Sequence, residues 1–338
     1  MLNKKSVQML SELTCADFIT YCKTNIIPCL VHLENERVKN LSKAQNYDKI
    51  CIFFAILMIA GLCIAWILCL FSGNDTNKAS GKASIIVSWI SCISLFICAI
   101  AGWARKKLVS PMINEFKSSV YTLLFSYFGN FKYHEKDMPV YNSAKIMVKG
   151  LQLFDKFNIY KCDDCITGNY NGLDIKILDL YLERETGSGK NRSTETIFDG
   201  VLLECDCNKK FHSTTIVRLD SLNKLLPPIG LQRVVLEDPL FEKKFDVFST
   251  DQTESRYILT TAFMNRLLKA QKKLGIPVTC SFENRKMYVA LHNSKDWFDI
   301  DFVNDSFTDI RTFQKILIDL VEVLSIIDTL NADSNIGM

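Results

Sequence analysis

Apolar and polar positions alternate in three different ways along the chain. Two runs carry no charge at all: "ICIFFAILMIAGLCIAWILCLF", Ile50 to Phe71, and "ASIIVSWISCISLFICAIAGWA", Ala83 to Ala104. Each reaches the roughly 20 residues that a helix needs to cross about 30 Å of hydrocarbon. Only 72–82 separates them, so they predict a helical hairpin with an external loop. A cleaved leader is not expected, since the first run starts some fifty residues in and exceeds an ordinary leader core.

On either side of the hairpin the spacing is helical. In 1–49 the residues Val7, Leu10, Phe18, Tyr21, Leu30, Leu33, Val38 and Leu41 recur at loosely helical intervals, with Pro28 expected to break or kink the run. After the second run, "PMINEFKSSVYTLLFSYF" continues as a helix with Met112, Phe116, Val120 and Leu124 on one stripe. A short helix is expected over Ser143 to Phe154.

From Ile159 the period changes to two, the mark of strands. "GLDIKILDLYLERE" predicts a long strand with a register change near Leu178, and "ETGSGKNRS" a polar hairpin loop. "IFDGVLLECDC" sets Val201, Leu203, Cys205 and Cys207 on one face. "TTIVRL", "LQRVVLE" and "FEKKFDVF" are three further short strands, and "VTCSF" pairs with "KMYVALH" across "ENRK". The last helix, Thr308 to Leu330, carries Ile310, Phe313, Leu317, Leu320, Leu324 and Ile327 at steps of three and four. So apolar a helix is buried either on the sheet or against a second subunit. Strands that follow one another without crossover helices pair antiparallel.

The expected fold class is therefore α+β. A helical segment (1–49) leads into the transmembrane hairpin (50–71 and 83–104, joined by 72–82), then juxtamembrane helices (105–156). A mostly antiparallel sheet domain with a helical insert and a long C-terminal helix fills 157–330, and 331–338 is a tail.

Charge sets the orientation. Arg37, Lys39, Lys43 and Lys49 precede the first span and Arg105, Lys106 and Lys107 follow the second, against Lys78 and Lys82 in the loop. Basic residues stay on the cytoplasmic side, so both termini are expected in the cytoplasm. Lys and Arg number 40 against 37 Asp and Glu, a net charge of +3 that gives no pull toward nucleic acid. The 13 cysteines are scattered rather than framed, five of them inside the two apolar runs, which reads as a reducing compartment.

Catalytic signatures are wanting. Cys162 and Cys165 have the spacing of zinc ligands, but Cys205 and Cys207 share a strand face with Val201 and Leu203 and read as core thiols. "GSGK" lacks the glycine and the hydroxyl of a phosphate loop, and His32, His134, His212 and His292 form no ligand pair. No catalytic residue, cofactor or metal is assigned. The densest polar stretch is "LEDPLFEKKFDVFSTDQTESRYILTTAFMNRLL". There Asp251 and Glu254 fit a capping box, and Thr260 or Thr261 restarts a helix that Gly275 and Pro277 end. Arg256 and Tyr257 are the residues this account explains least, so Asp251, Glu254, Arg256 and Tyr257 are the candidate functional residues.

That stretch, with "YKCDDCITG" and "FDGVLLECDCNKKF", resembles the bacterial domain-of-unknown-function family 3137 from about Phe116 to Phe298, plus the hairpin. Cys207 stands where the family usually has an aromatic, and Thr261 where it favours Pro. The resemblance implies a two-span protein of the bacterial inner membrane with a cytoplasmic α+β domain. It carries over no site residue. The expected function is a membrane-anchored, non-enzymatic binding protein. Besides the bilayer, its expected partner is another protein or a second copy, met through the N-terminal segment or the 308–330 helix. The alternatives are a membrane-surface enzyme using Asp251, Glu254 and Arg256, or a lipid-sensing module drawing anionic headgroups to Arg105, Lys106 and Lys107.

Overall fold

Both apolar runs lie inside helices more than twice their own length, α3 (Ile27–Ser72) and α4 (Ala79–Ser126); the short helices α1 (Lys4–Glu12) and α2 (Ala16–Tyr21) come before them in the chain and α6 (Pro239–Glu242) after. The computed structural model describes residues 4–72, 79–136, 139–207, 211–219 and 227–330. Most of the expected external loop, at 73–78, and the tail 331–338 lie outside these residues. The chain divides into two units, one of residues 27–119 with 300–312, the other of 1–26, 120–299 and 313–338.

In the first unit the helices meet through small residues. Gly61, Ala65, Ser91, Ser94 and Ala101 are buried, and a side chain added at Gly61 would run into the Ser91 hydroxyl. Both serines satisfy their hydroxyls within α4, Ser91 on the Val87 carbonyl (3.0 Å) and Ser94 on that of Ile90 (2.9 Å). The large side chains point outward instead: Trp66, Trp89 and Trp103 are 67%, 67% and 64% exposed. Small residues inside and large apolar ones outside is how helices pack when the surroundings are as apolar as the side chains. At one end Arg105 pairs with Asp48, and Glu34 accepts from Arg37, from the Ser306 hydroxyl and from the Phe307 N–H. Pro28 does not break the helix. It stands at the second residue of α3. A π-turn at Cys22–Ile26 precedes it.

The second unit is built on one nine-stranded sheet. Its strands are β1 (Phe131–His134), β2 (Ile159–Tyr170), β3 (Leu173–Thr186), β4 (Ser193–Asp206), β5 (Thr215–Leu219), β6 (Gln232–Val234), β7 (Phe245–Ser249), β8 (Val278–Glu283) and β9 (Lys286–His292). They run in the order β1-β2-β3-β4-β9-β8-β5-β7-β6, every neighbour antiparallel. The β8–β9 turn uses Asn284 and Arg285, both at positive φ (53° and 64°). Gly200 in β4 has φ +146°, and a Cβ there would strike the Leu291 carbonyl of β9, so only glycine fits.

Three helices follow from the same patterning. The first is α5, Pro139–Gly150, which starts four residues before the expected Ser143. With Leu151, Leu153 and Phe154 it covers Cys165, Leu178, Leu180, Leu182, Phe198 and Leu202 on one sheet face, Phe154 lying 4.7 Å from Phe198. The opposite face, with Ile175, Ile177, Leu203, Cys205, Val289, Cys280 and Phe282, is equally buried. There α8 (Thr261–Leu274) sets Phe263 at 5.5 Å from the Phe282 ring. Thr260 caps α8 and Gly275 ends it in the left-handed conformation. Finally α9 (Ile310–Leu330) has Phe313, Leu317, Leu320 and Leu324 fully buried, so its own chain covers the stripe. Ile318 stays exposed on it, at 39%. Tyr170 and Asn171 tie it to the β2–β3 turn through Asp328 (2.9 and 3.2 Å).

The expected register change at Leu178 is not a break in β3. The ladder from Ile175 to Leu182 is continuous with β4, and near Leu178 the irregularity lies in β2, between Cys162 and Cys165. Ile175 and Ile177 belong to one face, Leu178, Leu180 and Leu182 to the other. The switch marks where α5 begins to cover the second face. Asp174 and Lys176 lie on that same second face, beyond the edge of the cover.

Candidate functional site

The residues singled out by sequence sit on α7 (Gln252–Ile258) and at its cap. Asp251 accepts from the N–H groups of Thr253 (2.8 Å) and Glu254 (3.0 Å), the work of an N-cap. Glu254 does not complete the box: the Asp251 N–H goes to the Ser249 hydroxyl (3.1 Å). Glu254 instead reaches back across the fold to the backbone N–H of His212 (3.0 Å) and Ser213 (2.5 Å). Desolvation opposes its ionisation, but hydrogen bonds from Ser213 and His212 outweigh it and hold the carboxyl below its ordinary value. Arg256 gives its guanidinium to two carbonyls, Gln252 (2.9 Å) and Val235 (3.2 Å), while Tyr257 is 54% exposed. The four do not converge on a cleft. Asp251, Arg256 and Tyr257 face solvent, and both carboxylates are spent on backbone.

The cysteine pair behaves as core. Cys162 and Cys165 are buried at the β2 bulge, Cys162 donating to the Asp164 carbonyl, and burial pushes both thiols up. Among the described residues no three metal-binding side chains come together.

Polar residues do converge on the open part of the face that α5 leaves uncovered. The register sets Thr167, Lys176, Glu204 and Tyr288 in one row across β2, β3, β4 and β9. In the neighbouring row Asn169 pairs with Asp174 and Asp206 with Lys286. A depression of about 430 Å³ opens over them. At its floor Glu204 is only 5% exposed although it lies on an uncovered face. Two ammonium groups close over it: Lys176 Nζ at 3.2 Å from Oε2, and Lys286 Nζ on Oε1. Desolvation would lower the Lys286 pKa, but Glu204, Asp206 and Asp174 raise it above the ordinary lysine value, so this ammonium is firmly charged. At the edge, His134 shares a 2.7 Å hydrogen bond with Thr167, and burial beside Lys132 and Lys176 lowers its pKa.

Sequence reasoning did not single out Lys176, Glu204 or Lys286. The available signal was charge at period-two positions that should have been core: Asp174 and Lys176 before Leu178, Glu204 and Asp206 after Leu202.

The comparisons with known proteins bear on kinship alone. No curated protein matches the chain. Among solved structures, the mycobacterial trehalose monomycolate transport factor A, TtfA, is similar at 12% identity and a TM-score of 0.33. That match covers 64% of this chain and 96% of the other. Residues 196–332 match the profile of a family described as protein of unknown function, DUF3137. The match starts later than the resemblance drawn from sequence, at the rise of β4, and runs on through the end of α9. Over residues 196–332, then, the chain is similar to the DUF3137 family.

Proposed function

We propose that this is a membrane-anchored binding protein. Its α3–α4 hairpin spans a bilayer with both termini cytoplasmic, and its sheet domain (157–330) holds a ligand rather than transforming one. The inner membrane of a bacterium is the setting that the family resemblance favours. The observation that carries the reading is the inverted packing of the hairpin, small residues inside and Trp66, Trp89, Trp103 and 17 other large apolar side chains outside. In water that arrangement exposes far more contiguous apolar surface than a soluble protein tolerates. In hydrocarbon it costs nothing.

Support for binding over chemistry comes from the two polar regions. On α7 the side chains that an active site would need are occupied in caps and backbone ties. Over Glu204, by contrast, a preformed depression presents charged groups of both signs. Alkaline extraction of membranes tests the anchor: the full chain is expected to stay in the pellet at high pH and enter solution only with detergent. Release by alkali alone would overturn the reading.

A further inference from the structure

Glu204 is an anomaly on an open sheet face. An antiparallel sheet commonly turns one side to water, and a carboxylate there keeps its hydration. This one is desolvated by two lysine stems, a costly arrangement that Coulomb attraction alone seldom repays. Its effect is to fix the two ammonium groups side by side. Each has three donors, and among the described residues each gives one to Glu204, which leaves donors for a guest.

The depression has two poles. Lys176 and Lys286 close over one buried countercharge, Glu204, and form the positive pole. Asp174 and Asp206, exposed in the row that also holds Lys286, form the negative one beside it. Asp206 is the direct cross-strand partner of Lys286, so charges of opposite sign stand on neighbouring strands. A simple anion drawn to the lysines meets the two aspartates, and a simple cation meets the lysines. A guest bearing both charges close together satisfies the whole site, and about 430 Å³ is room for a small molecule or a headgroup.

We propose that the depression over Glu204 binds a small zwitterion, its anionic group at Lys176 and Lys286 and its cationic group at Asp174 and Asp206. The proposal rests on the domain being a binding module. It does not depend on the anchor, which alkaline extraction tests separately.

The test uses the full chain in detergent, titrated calorimetrically with phosphoethanolamine and with its two halves, inorganic phosphate and ethanolamine. Phosphoethanolamine is expected to bind about tenfold more tightly than phosphate, and ethanolamine most weakly. Lys286→Gln should weaken phosphoethanolamine by about tenfold, whereas Asp206→Asn should abolish the preference over phosphate. Both positions are solvent-accessible, and an unchanged melting temperature shows that the variants are folded. Asp174→Asn provides an independent check on the negative pole. Nanodiscs distinguish the source of the zwitterion. If discs of phosphatidylethanolamine, but not phosphatidylglycerol, displace the soluble probe, the guest is a lipid headgroup. If neither displaces it, the guest is a free molecule. Equal affinity for phosphate and phosphoethanolamine, no binding of either, or binding untouched by both substitutions would overturn the proposal.

Discussion

Helix α9 and the apolar halves of α3 and α4 are both read from sequence as too apolar for water, and the structure treats them in opposite ways. In α9, Phe313, Leu317, Leu320 and Leu324 are 0% exposed. In the hairpin, Ile52, Phe53, Ile56, Ile59 and Phe96 are all more than half exposed, while the buried positions hold glycine, alanine and serine. The difference lies less in how much apolar surface each has than in where the small residues sit. A helix meant for a protein core turns its large side chains inward. A helix meant for lipid can turn them outward and use small residues to approach its neighbour.

The largest expected effect comes from making the same change in both places. Leu320→Asp buries an unpaired charge and should cost more than about 4 kcal/mol, enough to abolish the cooperative melting of the sheet domain. Ile59→Asp should leave that melting transition in place and instead reduce membrane insertion, at about 3 kcal/mol for a central aspartate. If Ile59→Asp unfolds the sheet domain as Leu320→Asp does, the contrast between the helices is false. Gly61→Leu sharpens it further. Overpacking against Ser91 should weaken the hairpin by about 1–3 kcal/mol, measured by its resistance to denaturation in detergent, with little change in the sheet domain.

A smaller, pH-dependent effect belongs to the sheet unit alone. Burial pushes the His292 pKa down to about 4, and its ring shares a 3.1 Å hydrogen bond with Thr279. Because the unfolded chain takes up this proton near pH 6.5 and the folded chain only near 4, stability is full above the unfolded pKa. It is lost as pH falls between the two values. His292→Gln should flatten that part of a stability–pH profile, and an unchanged slope would contradict the assignment. The smallest effects are expected on α7, where Arg256→Ala and Tyr257→Phe should each cost less than about 1 kcal/mol and leave phosphoethanolamine binding unchanged.

What was legible in the sequence was what depends on near neighbours. The hairpin follows from two uncharged runs, the strands from period two, and Asp251 as a cap from the residues just after it. Glu254 escaped because its partners, His212 and Ser213, lie 42 and 41 residues upstream. Glu204 escaped for the same reason, with its lysines 28 and 82 residues away. The apparent register change at Leu178 was a true signal with the wrong cause. The pattern records which half of a face is covered, but not that the cover is α5, in a separate part of the sequence.

The most direct test of the account is the sidedness of the hairpin. Epitope tags placed within 72–82 and at each terminus, followed by protease treatment of intact cells, read it in one experiment. The account predicts that the 72–82 tag is cut from outside while both terminal tags stay protected until the membrane is permeabilised. Protection or cleavage of all three tags together would contradict it.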